Sequence, residues 1–121
     1  MNQVGIPNLD KQLEASLIAD MKKVEDLMRS HIEGDYPLVV ETSRHLVEAG
    51  GKRLRPLLTL ISAQFGDPTN YDIIKAAVCC ELTHLATLYH DDVMDDAVLR
   101  RGVISANKKW NNAVAILTGD Y

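Results

Sequence analysis

Cysteine is scarce in this 121-residue chain: there are two, Cys79 and Cys80, and they are neighbours. Adjacent helical residues point about 100° apart, which excludes an unstrained disulfide between them, and the apolar run that holds them predicts two buried thiols. Aromatic residues make up only 5% and long β-branched runs are missing, whereas Leu, Ala, Ile, Val and Glu abound, so the balance argues against sheet and predicts an all-α fold. No apolar stretch reaches the roughly 20 residues that span a bilayer, and Met1 opens a polar segment with no apolar leader, so a cytoplasmic protein is expected. An excess of positive charge is missing too. With 17 acidic and 13 basic side chains the net charge is −4, which leaves no general polyanion-binding surface, sets nucleic acid aside as a partner and requires any phosphate site to be local.

A hydrophobic content of 46% suffices for one small core, and the chain reads as a single domain over residues 1–121. Leu9, Leu13, Leu17, Met21, Val24, Leu27, Met28 and Ile32 recur by threes and fours, the period of an amphipathic helix, and Gly34 ends it. Asp35 as an acidic cap and Pro37 in the first turn predict a second helix, stopped by Gly50 and Gly51. Pro56 sits where a first helical turn tolerates it, and Leu57, Leu58, Leu60, Ile61, Ala63 and Phe65 predict a mostly buried third helix. After a turn over residues 66–70, a long helix runs from about Tyr71 through Leu88 and ends in acid. Residues 97–104 read as a charged loop, Ser105 as the cap of a short helix through Trp110, and residues 113–117 as the start of a helix that stops at Tyr121 after barely two turns. The domain is therefore expected to be partial, incomplete at its C-terminal end.

Three constellations carry chemistry. Residues 91–96 read Asp-Asp-Val-Met-Asp-Asp, which on a helix places Asp91/Asp95 and Asp92/Asp96 each at i, i+4. Like charges at that spacing repel, and a helix C-terminus disfavours negative charge, so structure alone gives no reason for the pattern. Oxygen-only carboxylates so arranged suit Mg²⁺, which keeps several waters and completes its shell with phosphate oxygens; a solvated acidic helix end is the plainer alternative. An EF-hand lacks its glycine and distal glutamate here. The second constellation, GGKRLRP at 50–56, sets three cations at the mouth of a helix whose free N–H groups also attract anions, although it lacks the spacing of a nucleotide P-loop. Third, Arg100 and Arg101 follow the acidic run closely enough to reach the same anion, and His84 stands two helical turns before Asp91 on the same face. A solvated loop and a merely structural histidine are the competing readings. Zinc at Cys79, Cys80, His84 and His90 is disfavoured because the cysteines lack the usual gap.

GGKRLRP at 50–56, DDVMD at 91–95 and RRG at 100–102, in that order and separation, resemble the first half of the trans-isoprenyl diphosphate synthases. The resemblance runs from about Leu46 to Tyr121, and residues before it match only as generic helices. It implies the N-terminal portion of the isoprenoid synthase helical bundle, from a long-chain member. It further implies that Asp91 and Asp95 bind Mg²⁺ bridging an allylic diphosphate, with Asp92 in support and Arg100 gripping the same diphosphate, while Lys52, Arg55, His84 and Arg101 hold isopentenyl diphosphate. Arg53 and Asp96 belong to the motifs with less direct roles. The implied reaction is ionisation of the allylic C–O bond, attack by the isopentenyl double bond and loss of a proton, with no covalent nucleophile. Thr83, Ala86 and Thr87 occupy the places that set product length in the family, and their small size implies a product of C30 or above, of the quinone side-chain type.

The family's second aspartate-rich motif has no counterpart in the chain, so the piece alone is expected to be inactive; the full-length protein is expected to be a homodimer or heterodimer, with product drawing it to a membrane surface. A class I terpene cyclase is the alternative enzyme, though it has no use for the basic clamp of Lys52, Arg55 and Arg101. A non-catalytic subunit of a heteromeric synthase is the alternative non-enzyme, and a helical interaction module with incidental charges the plainest one.

Overall fold

The structure, a computed structural model, describes residues 4–121; residues 1–3, including the polar start at Met1, lie outside the described residues. Among the described residues, six helices and a hairpin of two two-residue strands follow in the order α1 (Lys11–His31), α2 (Pro37–Glu48), α3 (Leu54–Ala63), α4 (Asp72–Met94), β1 (Leu99–Arg100), β2 (Val103–Ile104), α5 (Ala106–Lys109) and α6 (Asn112–Asp120). The fold is all-α apart from the hairpin. No helix among the described residues is long and apolar enough to cross a membrane.

Helix α4 is the central element, packed against α1, α3 and α6. Its buried stripe is Ile74, Ala77, Val78, Glu81, Leu85, Leu88, Tyr89 and Asp92, which meets Leu17, Val24 and Met28 of α1, Leu46 and Val47 of α2 and Leu57 and Leu60 of α3 in one core. Asp10 caps α1 by accepting from the amides of Gln12 and Leu13 at 3.0 and 3.1 Å.

Four expectations are corrected. Cys79 and Cys80 are exposed, because the buried stripe of α4 passes through Ala77, Val78 and Glu81 and leaves both on its other side. Asp35 caps nothing: Tyr36, in extended conformation directly before Pro37, holds the N-cap position without a side-chain bond. Helix α3 is only half buried, with Leu54 and Leu58 more than half exposed and Phe65 beyond its end 95% exposed. The charged loop is an antiparallel hairpin, Leu99 opposite Ile104 and Arg100 opposite Val103. Its two turn residues, Arg101 and Gly102, have φ of 54° and 78°, the positive values that a tight hairpin turn matching the strand twist requires. Ser105 keeps the N-cap position of α5, yet its hydroxyl donates to the Ala97 carbonyl instead of to the helix.

A buried ion network ties the elements that frame the site. Arg53, 7% exposed, donates from Nε to Glu25 of α1 at 2.5 Å and from Nη1 to Glu81 of α4 at 3.1 Å. Its remaining donors reach the carbonyls of Gly50 and Val47 at the end of α2, at 3.0 and 2.9 Å. Burial pulls its pKa down, but the hydrogen bond and charge of Glu25, joined by Glu81, outweigh that and hold it above the usual arginine value. Its left-handed backbone, φ 50°, is thus held by bonds to three elements.

Candidate functional site

At the end of α4 the helical ladder reaches Asp95, whose amide bonds the Asp91 carbonyl at 2.8 Å, and then breaks as Asp96 turns left-handed with φ 48°. The break gives the aspartates different fates. Asp91 is half-buried and Asp95 exposed, one turn apart at the helix end. Asp92 is 1% exposed, and its Oδ1 accepts from Nε of Arg100 at 2.8 Å and from Nη2 of the same guanidinium. Its Oδ2 is buried without a hydrogen-bond partner among the described residues. Asp96 takes Lys108 as partner at 2.6 Å. The expected Asp92/Asp96 pair therefore does not form: one carboxylate points into the protein and the other has left the helix. The donor set that remains at the surface, Asp91 with Asp95, fits a hard divalent ion that keeps water and ligand oxygens in its shell.

The hairpin sends its two arginines to different anchors. Arg100, pointing back to α4, has its pKa raised chiefly by the hydrogen bond to Asp92, with burial opposing and the charges of Asp92, Asp91 and Asp95 adding. Arg101 donates from Nη1 to the carbonyls of Leu46, at 3.1 Å, and Gly50, and its Nη2 lies 3.4 Å from Glu81. Burial first, then the charge of Arg53, lowers its pKa. Gly51 makes this seat possible. With φ 124° and a position where a Cβ would stand 2.8 Å from the Arg101 guanidinium carbon, any side chain here would strain the backbone and displace that guanidinium.

Lys52, Arg55, His84, Leu88, Arg100 and Arg101 line one cavity of about 390 Å³, with Arg53 and Glu81 behind them. The side chains of Lys52 and Arg55 have no ion-pair partner among the described residues, and Glu81 is already engaged by Arg53 and Arg101. His84 is held below the ordinary histidine value by burial, then by the charge of Arg55, against the pull of Glu81, with Arg101 and Arg100 adding to the fall. A cavity walled by cations whose acidic neighbours are occupied is suited to a polyanion. Arg100 joins it to the acidic helix end, since it borders the cavity and grips Asp92.

The three small residues of α4 fall in different surroundings. Ala86 borders an apolar cavity of about 330 Å³ between α4, α2 and α6, with Val47, Leu82, Leu85 and Tyr89. Thr83 borders a separate groove with Leu27, Val78 and Leu82. Thr87 is exposed, and the hydroxyls of Thr83 and Thr87 bond back to the Cys79 and His84 carbonyls at 2.8 and 2.6 Å.

Glu81 and Tyr89 shape the site without having been singled out as site residues in the sequence. The lone charge of Glu81 inside the apolar stretch before His84 was the available signal, whereas the bonding of Tyr89 to another helix left none.

A family model described as polyprenyl synthetase matches residues 36–121. The chain is 46% identical over 118 residues to a nonaprenyl diphosphate synthase of Mycobacterium tuberculosis, covering 97% of this chain and 35% of that one. It is 48% identical over 105 residues to component 2 of the heptaprenyl diphosphate synthase of Bacillus subtilis, covering 84% and 29%. Among solved structures, a polyprenyl synthase from Caulobacter crescentus, complexed with calcium and isoprenyl diphosphate, superimposes with a TM-score of 0.83 at 40% identity over 89% of this chain and 33% of that one. Geranylgeranyl diphosphate synthases also match, so kinship alone leaves product length open. The chain spans about a third of the length of the curated relatives it matches.

Proposed function

The chain belongs to the polyprenyl synthetase family, and from that premise we propose that the whole protein joins isopentenyl diphosphate to an allylic diphosphate to make a long-chain, all-trans polyprenyl diphosphate. The observation that carries this is the position of Arg100, which connects a cavity lined by cations, Lys52 and Arg55 among them without an ion-pair partner among the described residues, to an acidic helix end suited to a metal. Asp91 and Asp95 hold the divalent cation, Mg²⁺ in our reading; that the Caulobacter structure is complexed with calcium and isoprenyl diphosphate supports a divalent metal and a diphosphate as ligands. When bound, the metal supplies positive charge that stabilises a departing diphosphate. Arg100 orients that diphosphate with the guanidinium edge that Asp92 leaves free, and Asp92 acts by holding Arg100 and not as a ligand. Lys52, Arg55, His84 and Arg101 bind the diphosphate of isopentenyl diphosphate, so that its double bond meets the allylic carbon as the C–O bond breaks and a proton is lost.

Ala86, small and bordering the apolar cavity, leaves the path of a growing tail open, with Thr83 and Thr87 on the same helix; we take the product to be C30 or longer. A class I cyclase needs no second diphosphate site, which disfavours it. We further propose that the protein works in the cytoplasm as a dimer, with itself or with a different subunit, meeting membranes only through its product. Residues 1–121 alone are proposed to give no turnover. Calorimetric titration of the whole protein with Mg²⁺ and inorganic pyrophosphate tests the site: Asp91→Ala is expected to remove the metal-dependent heat, and equal heats from wild type and variant would leave the carboxylate without the role assigned to it.

A further inference from the structure

One buried side chain beside the site has no part in the chemistry above. Tyr89, two residues before Asp91, is 4% exposed, and its hydroxyl lies against helix α2 instead of its own helix. It donates to the Thr42 carbonyl at 2.5 Å, with Ser43 as a second acceptor at 3.3 Å, and accepts from the Leu46 amide at 3.2 Å. Thr42 and Leu46 are the two ends of one i, i+4 rung of α2. A helix interior satisfies such groups by itself, so a hydroxyl from another helix bonded to both ends fixes where that rung sits relative to α4. Leu46 is held on its other side too: its carbonyl, with that of Gly50, seats Arg101. Tyr89, Leu46 and Arg101 thus form one line from the acidic end of α4, through the last turns of α2, to the wall of the cation-lined cavity.

We propose that Tyr89 is a positioning residue for the basic clamp: by tying α4 to the Thr42–Leu46 rung of α2, it fixes the carbonyls on which Arg101 is seated and so sets the reach of that guanidinium into the cavity. The inference rests on the assignment of Arg101 to isopentenyl diphosphate. The Tyr89 ring borders the apolar cavity beside Ala86, whereas its hydroxyl faces α2, away from both diphosphates, and acts on the clamp through Arg101. Tyr89→Phe keeps the ring and its packing and removes only the hydroxyl.

Steady-state kinetics of the full-length enzyme test it with Tyr89→Phe, Arg101→Ala and the double variant. Tyr89→Phe is expected to raise KM for isopentenyl diphosphate about fivefold, the equivalent of one net hydrogen bond, with kcat and the allylic KM within about twofold of wild type. In the Arg101→Ala background the same change is expected to add nothing, because the residue it acts through is gone. The proposal is overturned if Tyr89→Phe leaves that KM unchanged while Arg101→Ala raises it, or if the two effects multiply as independent ones do. If Arg101→Ala itself leaves KM unmoved, the clamp assignment fails, and the role of Tyr89 falls with it.

Discussion

Four aspartates in a run of six residues have distinct physical situations, and substitution separates them. Asp92 is buried against Arg100, so Asp92→Asn leaves that guanidinium without its counter-charge; breaking a buried pair costs about 3–5 kcal/mol, and the partial exposure of Arg100 brings the expectation here to about 2 kcal/mol, read from denaturant melts. Asp91→Asn and Asp95→Asn remove charge from a helix end whose dipole disfavours it, so stability should hold or rise by about a few tenths of a kcal/mol while activity is lost. Equal stability losses at all three positions would contradict this division. His84 supplies a pH test. Its folded pKa lies below the ordinary 6.5, so the unfolded chain binds the proton more readily, and the stability contribution is present above 6.5 and lost as pH falls through the folded value. His84→Gln should flatten the fall of melting temperature between about pH 7 and about pH 5, and parallel wild-type and variant curves would show that other groups set it.

Among the elements, the close approach of α6 to α4 depends on Gly119, where a Cβ would stand 2.5 Å from His90 Nε2 and 3.0 Å from the Ala86 carbonyl. The imidazole can swing aside, but the carbonyl belongs to the α4 backbone, so Gly119→Ala is expected to push the helices apart at a cost of about 1–3 kcal/mol and to open the apolar cavity beside Ala86. A melting point within error of wild type would argue against that contact. The longer helices were legible because their apolar residues recur at helical spacing and because glycine and proline punctuate several of them, and the short α5 was legible from Ser105 at its N-cap position. The hairpin was not, since two strands of two residues are too short for alternation to register, and only the pair Arg101-Gly102 hinted at a turn. The burial of Cys79, Cys80 and α3 was misjudged for a common reason. Apolar composition marks what a helix can bury, whereas its orientation against its neighbours, α1 and α4 for α3 and α1, α3 and α6 for α4, decides what it does bury. The acidic and basic motifs were readable as chemistry, but the inward turn of Asp92 and the seating of Arg101 on backbone carbonyls depend on tertiary contacts that no local pattern records.

On the scale of the whole molecule, α4 brings the two motifs together: its apolar stripe anchors α1, α2 and α3, and its polar end carries the aspartates out of that core beside the cations of the α2–α3 turn and the hairpin. This sets the cations of the cavity on one wall and the carboxylates of the helix end on the other, with Arg100 bordering the first and bonded to Asp92 of the second. Kinship places the chain in the polyprenyl synthetase family, and on the proposed reading product length depends on how far a tail can pass Ala86. The most direct test of the account is to supply the full-length protein with Mg²⁺, an allylic diphosphate and labelled isopentenyl diphosphate, and to separate the products by chain length. The account predicts label in all-trans products of about C30 or longer, abolished by Asp91→Ala and shortened by Ala86→Phe; no incorporation of label by the wild-type protein would contradict it.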